Sequence, residues 1–131
     1  MHIWLKMHYL FSVIDYFYIN ILPADIYMEK PVQLYRGLIE RIKTDYLRHL
    51  HTRVDWNNRL TAIVGARGTG KTTLILQHIK LNRPLNETLY VNADDFYFAG
   101  NKLLDLASTF WINGGKFLYI DEIHKYPQWS K

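Results

Sequence analysis

Eight consecutive residues, Gly65-Ala66-Arg67-Gly68-Thr69-Gly70-Lys71-Thr72, fit the pattern G-x-x-x-x-G-K-[ST]. Each part of that pattern has a physical reason. Gly65 and Gly70 allow backbone geometry and a close approach that a Cβ would block. Successive N–H groups of such a loop turn inward and surround a phosphate with donors. A helix opening at Lys71 adds unpaired amides and the positive end of its dipole. Lys71 then reaches the outer phosphates of a nucleotide, and the Thr72 hydroxyl is a ligand for Mg²⁺.

A second group of chemistry-bearing residues lies further along, in Phe117-Leu118-Tyr119-Ile120-Asp121-Glu122. An apolar strand there delivers two carboxylates at its C-terminal end, where ligands bind in open α/β sheets. Asp121 is placed to hold Mg²⁺ directly or through water, and Glu122 to take a proton from an attacking water or orient it. Alone, such a strand end reads equally well as two solvated acids. Following the glycine loop, it supports a phosphate site.

The elements that must position these groups follow from periodicity. Arg59–Val64 is a β-rich run ending at Gly65, and Lys71–Leu81 has helical spacing with Leu74, Ile75, His78 and Ile79 on one face. Leu89–Asn92 reads as a strand, and Asn101–Trp111 as a helix that buries Leu103, Leu104, Ala107, Phe110 and Trp111. Gly114 and Gly115 close that helix, and Lys116–Ile120 is a third strand. Upstream, Pro31–Leu50 reads as an amphipathic helix with Leu34, Leu38, Ile42 and Tyr46 as its apolar stripe and Pro31 in its first turn. Strands alternating with helices predict an α/β domain with a mostly parallel sheet.

Bulk properties set limits. With 131 residues, 49% hydrophobic and 21% charged, the chain is a globular domain rather than a disordered one. A net charge of +4 favours anionic partners, which a nucleotide already satisfies. Cysteine is absent, which removes disulfide scaffolds and thiolate metal sites and suits a cytoplasmic protein. The apolar segment Met1–Leu22 is interrupted by Lys6 and Asp15, so it is too broken for a membrane span or a signal peptide. Met1–Tyr27 reads as an extension of doubtful status, with a packed element or membrane contact as alternatives. Residues 28–58 then form a helix and linker, and residues 59–131 the core.

GARGTGKTTL, then LYVNADD, then FLYIDEIHKYPQW resembles the prokaryotic AAA-type ATPases that carry a D-E-[IV]-[HQ]-[KR]-x-P-x-W segment, within the AAA+ branch of P-loop proteins. The likeness spans Met28–Lys131 and is most specific at Asp121–Trp129. It implies a three-layer α/β/α fold with Gly65, Ala66, Arg67, Gly68, Thr69, Gly70, Lys71, Thr72 and Thr73 as the nucleotide loop. It also implies Asp121 as the magnesium (Walker B) aspartate and Glu122 as the catalytic base. Family members place a further strand between the loop strand and the Asp121 strand, and later in their chains carry a sensor, an arginine finger, a helical lid and usually a C-terminal domain. Against that pattern the chain reads as truncated after the Asp121 strand, its sheet lacking a central strand, its edges exposed and its turnover weak or absent.

Other residues carry weaker readings. Asp94 and Asp95 fit a loop cap or turn. His49 and His51 lack the spacing of a metal pair. His124 is a loop residue beside the site, while Tyr126 and Trp129 anchor that loop by packing. From Arg36 to Arg59 six Lys or Arg face three Asp or Glu, a mild basic bias that leaves nucleic-acid contact weakly supported. The function expected is binding of ATP with Mg²⁺ and, in a complete protein, hydrolysis that drives a conformational change, in a homo-oligomer or otherwise. A nucleotide-binding module without turnover is the alternative, and a small-molecule kinase the next. No guanine-specific N-K-x-D sequence is present, which favours ATP.

Overall fold

The computed structural model describes residues 1–6, 24–127 and 129. Four strands and three α-helices follow in chain order: β1 (His2–Lys6), α1 (Ala24–Arg41), β2 (Leu60–Ile63), α2 (Lys71–Asn82), β3 (Thr88–Asn92), α3 (Leu103–Ile112) and β4 (Phe117–Asp121). The strands form one sheet in the order β2-β1-β4-β3. β3 pairs parallel to β4, with Leu89 opposite Leu118 and Asn92 opposite Asp121. β1 runs antiparallel to both of its neighbours. The sheet is therefore mixed: β2, β3 and β4 share one direction and β1 opposes them.

β1 changes the expected picture of a sheet with an empty middle. It occupies the place between the loop strand β2 and the Asp121 strand β4, pairing Ile3 with Ala62 on one side and with Ile120 on the other. β1 is antiparallel to both neighbours, so the handedness rule for parallel connections does not constrain its direction. The antiparallel ladder is also slightly the more stable per residue. The boundary drawn after Tyr27 falls inside α1, and residues 7–23 lie outside the described residues. Among the described residues no helix is long and apolar enough to cross a membrane.

The first helix also differs from its expectation, in both span and face. α1 runs from Ala24 to Arg41 with Pro31 inside it, rather than from Pro31 to Leu50. Its buried side is Pro31, Tyr35 and Ile39, whereas Leu34 and Leu38 remain 48% and 39% exposed. Both stripes have the same spacing, and only contact with the rest of the domain chooses between them. Where the helix ends, one side chain caps the free carbonyls: Lys80 Nζ donates to Glu40 O (3.3 Å) and Ile42 O (2.9 Å). Beyond it, the buried Gln77 amide donates to the carbonyls of Lys43 (2.9 Å) and Tyr46 (2.7 Å). Residues 43–46 are thereby held on α2 as a loop, and Tyr46 is exposed.

The remaining elements lie within two or three residues of their expected bounds. Every residue from Thr88 to Val91, and from Leu118 to Asp121, is buried, so both faces of this half of the sheet are covered. α3 buries Leu103, Leu106, Ala107, Ser108 and Phe110 but leaves Leu104 exposed. Gly114, at φ 87°, turns the chain out of α3. Asp95 caps the short 3₁₀ turn Phe96–Ala99 by accepting from Tyr97 N (2.8 Å).

At the far end of α2, His78 stacks on Trp56 with ring centroids 3.8 Å apart and planes 5° from parallel. Burial, helped by the positive charge of Arg83 and by His51, lowers the His78 pKa from 6.5 to about 3. Below pH 6.5 the unfolded chain takes up a proton there that the folded protein refuses. Folding stability accordingly falls by about 1.4 kcal/mol per pH unit between pH 6.5 and about 3, where the folded protein also takes up the proton. His78→Phe keeps the stack and removes the titration. Urea unfolding at pH 7 and pH 5 should show the difference between the two values shrink by about 2 kcal/mol relative to the parent; an unchanged difference would exclude His78 as its source.

Candidate functional site

β2 ends at Ile63, and the chain then turns through Gly65–Gly70 into the first turn of α2. The left-handed conformations in this turn fall on Gly68 (φ 79°) and Gly70 (φ 81°), not on Gly65. A Cβ on Gly65 would meet only ordinary contacts, at 3.5 Å from Thr69 Oγ1 and 3.8 Å from Lys71 Cδ. A Cβ on Gly70 would collide with the guanidinium of Arg48, which lies against the loop. Thr69 Oγ1 donates to Ala66 O (2.8 Å), and Lys71 Nζ donates to the carbonyls of Gly65 (2.8 Å) and Ala66 (2.7 Å). The lysine thus arches over the loop from its helix, its ammonium within the loop's concavity.

Beside the loop stands the end of β4. Asp121 is buried, and its two carboxylate oxygens have different surroundings. Oδ2 accepts from Thr72 Oγ1 (2.5 Å) and from Tyr90 Oη (2.6 Å). Oδ1 faces His2 Nδ1 in a buried ion-pair contact. Burial alone would raise the Asp121 pKa, but the contacts with His2, Thr72 and Tyr90 outweigh it and hold the carboxyl at about 2. Burial and the adjacent Asp121 charge push the Tyr90 phenol well above its ordinary range, so it remains a donor. Glu122 follows with φ 52°, the one non-glycine residue at positive φ among those described. Its Oε2 lies 3.4 Å from His124 Nε2. Such a conformation costs a glutamate about 1–2 kcal/mol and persists only where its surroundings impose it.

Loop and carboxylates open on one cleft of about 1340 Å³, whose opposite wall is α1. Gly65, Arg67, Lys71, Thr72, Asp121 and Glu122 all border it. Thr73 does not; it lines a smaller hollow with Tyr46, Arg48 and Gln77. Asp94 borders the cleft, and its backbone N–H donates to Asn92 Oδ1 (2.9 Å). Tyr126 accepts from Leu103 N (3.0 Å), which ties its segment to α3, whereas Trp129 stays 42% exposed. His2, Tyr90 and Arg48 were not among the residues singled out from the sequence. Tyr90 follows from register once β3 is set beside β4. No local pattern points to His2.

The oxygen donors fit a hard cation. Thr72 Oγ1 and Asp121 meet at one point beside a basic loop, the donor chemistry Mg²⁺ takes.

A glycine loop between a strand and a helix, facing an acidic strand end across a cleft, defines a nucleotide-binding domain of the P-loop type. A family model described as an AAA domain matches residues 57–131, and the chain belongs to that family. The match takes in β2 to β4 and leaves β1 and α1 outside it. No curated protein and no solved structure matches the chain.

The left-handed backbone of the loop sets what its glycines tolerate. Gly68→Ala should cost about 1–2 kcal/mol through its left-handed conformation alone, because its Cβ would meet open space. Gly70→Ala carries the same strain and should cost about the same 1–2 kcal/mol, because the group its Cβ meets is the far end of the exposed Arg48 side chain, which can swing aside. Calorimetry on the two variants checks this, and a markedly lower melting temperature for Gly70→Ala would mean that Arg48 is held rigidly over the loop.

Proposed function

We propose that the chain binds ATP with Mg²⁺ on Gly65–Thr73 and hydrolyses it. The observation that supports this best is the meeting of Thr72 and Asp121 at 2.5 Å, on the cleft that Gly65 and Lys71 also border. On this reading the loop N–H groups and the N-terminus of α2 hold the phosphates. Lys71 leaves the carbonyls of Gly65 and Ala66 to neutralise the β- and γ-phosphates. Thr72 and Asp121 would hold Mg²⁺, which when bound neutralises charge on the transferring phosphoryl group. Glu122 accepts the proton of a water whose oxygen attacks the γ-phosphorus. The bond from that phosphorus to the bridging oxygen breaks, and ADP and phosphate leave.

A second reading, a nucleotide-binding module without turnover, draws support from Glu122. Its carboxylate lies against His124, which is 42% exposed on its side chain and able to tie up the base.

Equilibrium binding of ATP–Mg²⁺ to the full chain tests the first step. Lys71→Ala should abolish saturable binding; equal binding by that variant would overturn the assignment of the loop. Glu122→Gln separates the two readings. In an enzyme it should cut turnover by at least about 10²-fold while ATP stays bound. In a passive binder both ATP retention and the background rate would be unchanged.

A further inference from the structure

β1 brings a nitrogen ligand to the acidic end of β4. Ile3 pairs with Ile120, so the antiparallel register sets His2 opposite Asp121 with both side chains on one face of the sheet. The His2 side chain is 1% exposed, and its Nε2 is buried without a hydrogen-bond partner. Its Nδ1 lies against Asp121 Oδ1, a contact that helps keep the carboxyl ionised, and Nε2 is left with no partner of its own. A buried polar atom in that condition is costly unless something else pairs it. Nδ1 and Oδ1 stand closer than the ligands of one metal do, and a cation that parts them would take a lone pair from each. Glu122 stands close enough to add a third donor: one ligand atom each from His2, Asp121 and Glu122 lies within 4.8 Å of the others.

We infer that His2, Asp121 and Glu122 form a binding site for a first-row divalent transition metal, of the class Mn²⁺ to Zn²⁺, distinct in preference from the Mg²⁺ site of the proposed nucleotide reaction. Ligand chemistry decides the class. Imidazole nitrogen adds affinity for Co²⁺, Ni²⁺ and Zn²⁺ that Mg²⁺, a hard cation seeking oxygen, does not share. The Asp121 carboxylate is already divided for the task. Thr72 and Tyr90 occupy Oδ2 and fix the plane of the group, which leaves Oδ1 turned toward His2. Hydrogen bonds of this kind to the far oxygen orient a metal-binding carboxylate. Occupation of the site draws Glu122 onto the metal and away from any water it would activate, so these metals act as inhibitors of turnover. That last consequence rests on the proposed role of Glu122; the binding site itself does not.

The test uses the full chain without nucleotide, with Co²⁺ as probe, followed by its visible absorption and by calorimetric titration. One Co²⁺ should bind per chain, be displaced by Zn²⁺, and resist an excess of Mg²⁺. His2→Asn should weaken Co²⁺ binding by at least about 10-fold, while His124→Asn, which removes the neighbouring imidazole, should leave it unchanged. Parent Co²⁺ binding no tighter than Mg²⁺ binding, or unaltered Co²⁺ affinity in His2→Asn, would overturn the assignment. If His2→Asn loses its far-ultraviolet helical signal, Glu122→Gln serves instead, because it leaves β1 untouched; unaltered Co²⁺ affinity there would equally overturn it. ATP binding measured separately keeps the two ideas apart. Loss of Co²⁺ binding alone defeats the transition-metal site, and loss of ATP binding alone defeats the nucleotide reading.

Discussion

β2 and β4 carry the two halves of the site, the loop that follows Ile63 and the carboxylates that begin at Asp121, and neither touches the other directly. β1 lies between them and hydrogen-bonds to both, so the spacing of loop and carboxylates is set by two inter-strand distances of about 4.8 Å each. Remove β1, and two rows of backbone donors and acceptors lose their partners in the middle of the sheet. Thr72 could then no longer be relied on to meet Asp121. The architecture of the cleft thus depends on a ladder contributed by residues outside the part of the chain that matches the AAA family.

The same ladder explains the unusual state of Asp121. A carboxylate this deeply buried would ordinarily stay protonated. Thr72 arrives on α2, Tyr90 on β3 and His2 on β1, each from a different element, and together they hold it ionised. One residue later the backbone enters the left-handed region at Glu122, where a glycine or asparagine would be more comfortable. Satisfied charge and strained backbone side by side at a strand end are what a site asks of a fold.

Much of this was legible residue by residue. The loop pattern, the strands around it, the helix from Lys71 and the acidic end of β4 all follow from local rules, because each depends on neighbours in sequence. Gly68 shows the limit of such rules. The pattern names Gly65 and Gly70, but left-handed backbone falls on Gly68 and Gly70, since the turn rather than the motif fixes the dihedral angles. α1 shows the limit again. Its apolar residues support two stripes with identical spacing, and the fold buries Tyr35 and Ile39 while leaving Leu34 and Leu38 to wall the cleft.

By itself, then, the sequence determined the class of domain and the residues able to meet a phosphate, because helix periodicity, glycine freedom and a strand end are encoded within a few positions. Tertiary structure decided how the sheet is closed and what surrounds Asp121. The pairing of His2 with a residue at the opposite end of the chain rests on long-range register. A five-residue strand takes its place from the gap it fills, and no periodicity within it specifies which gap that will be.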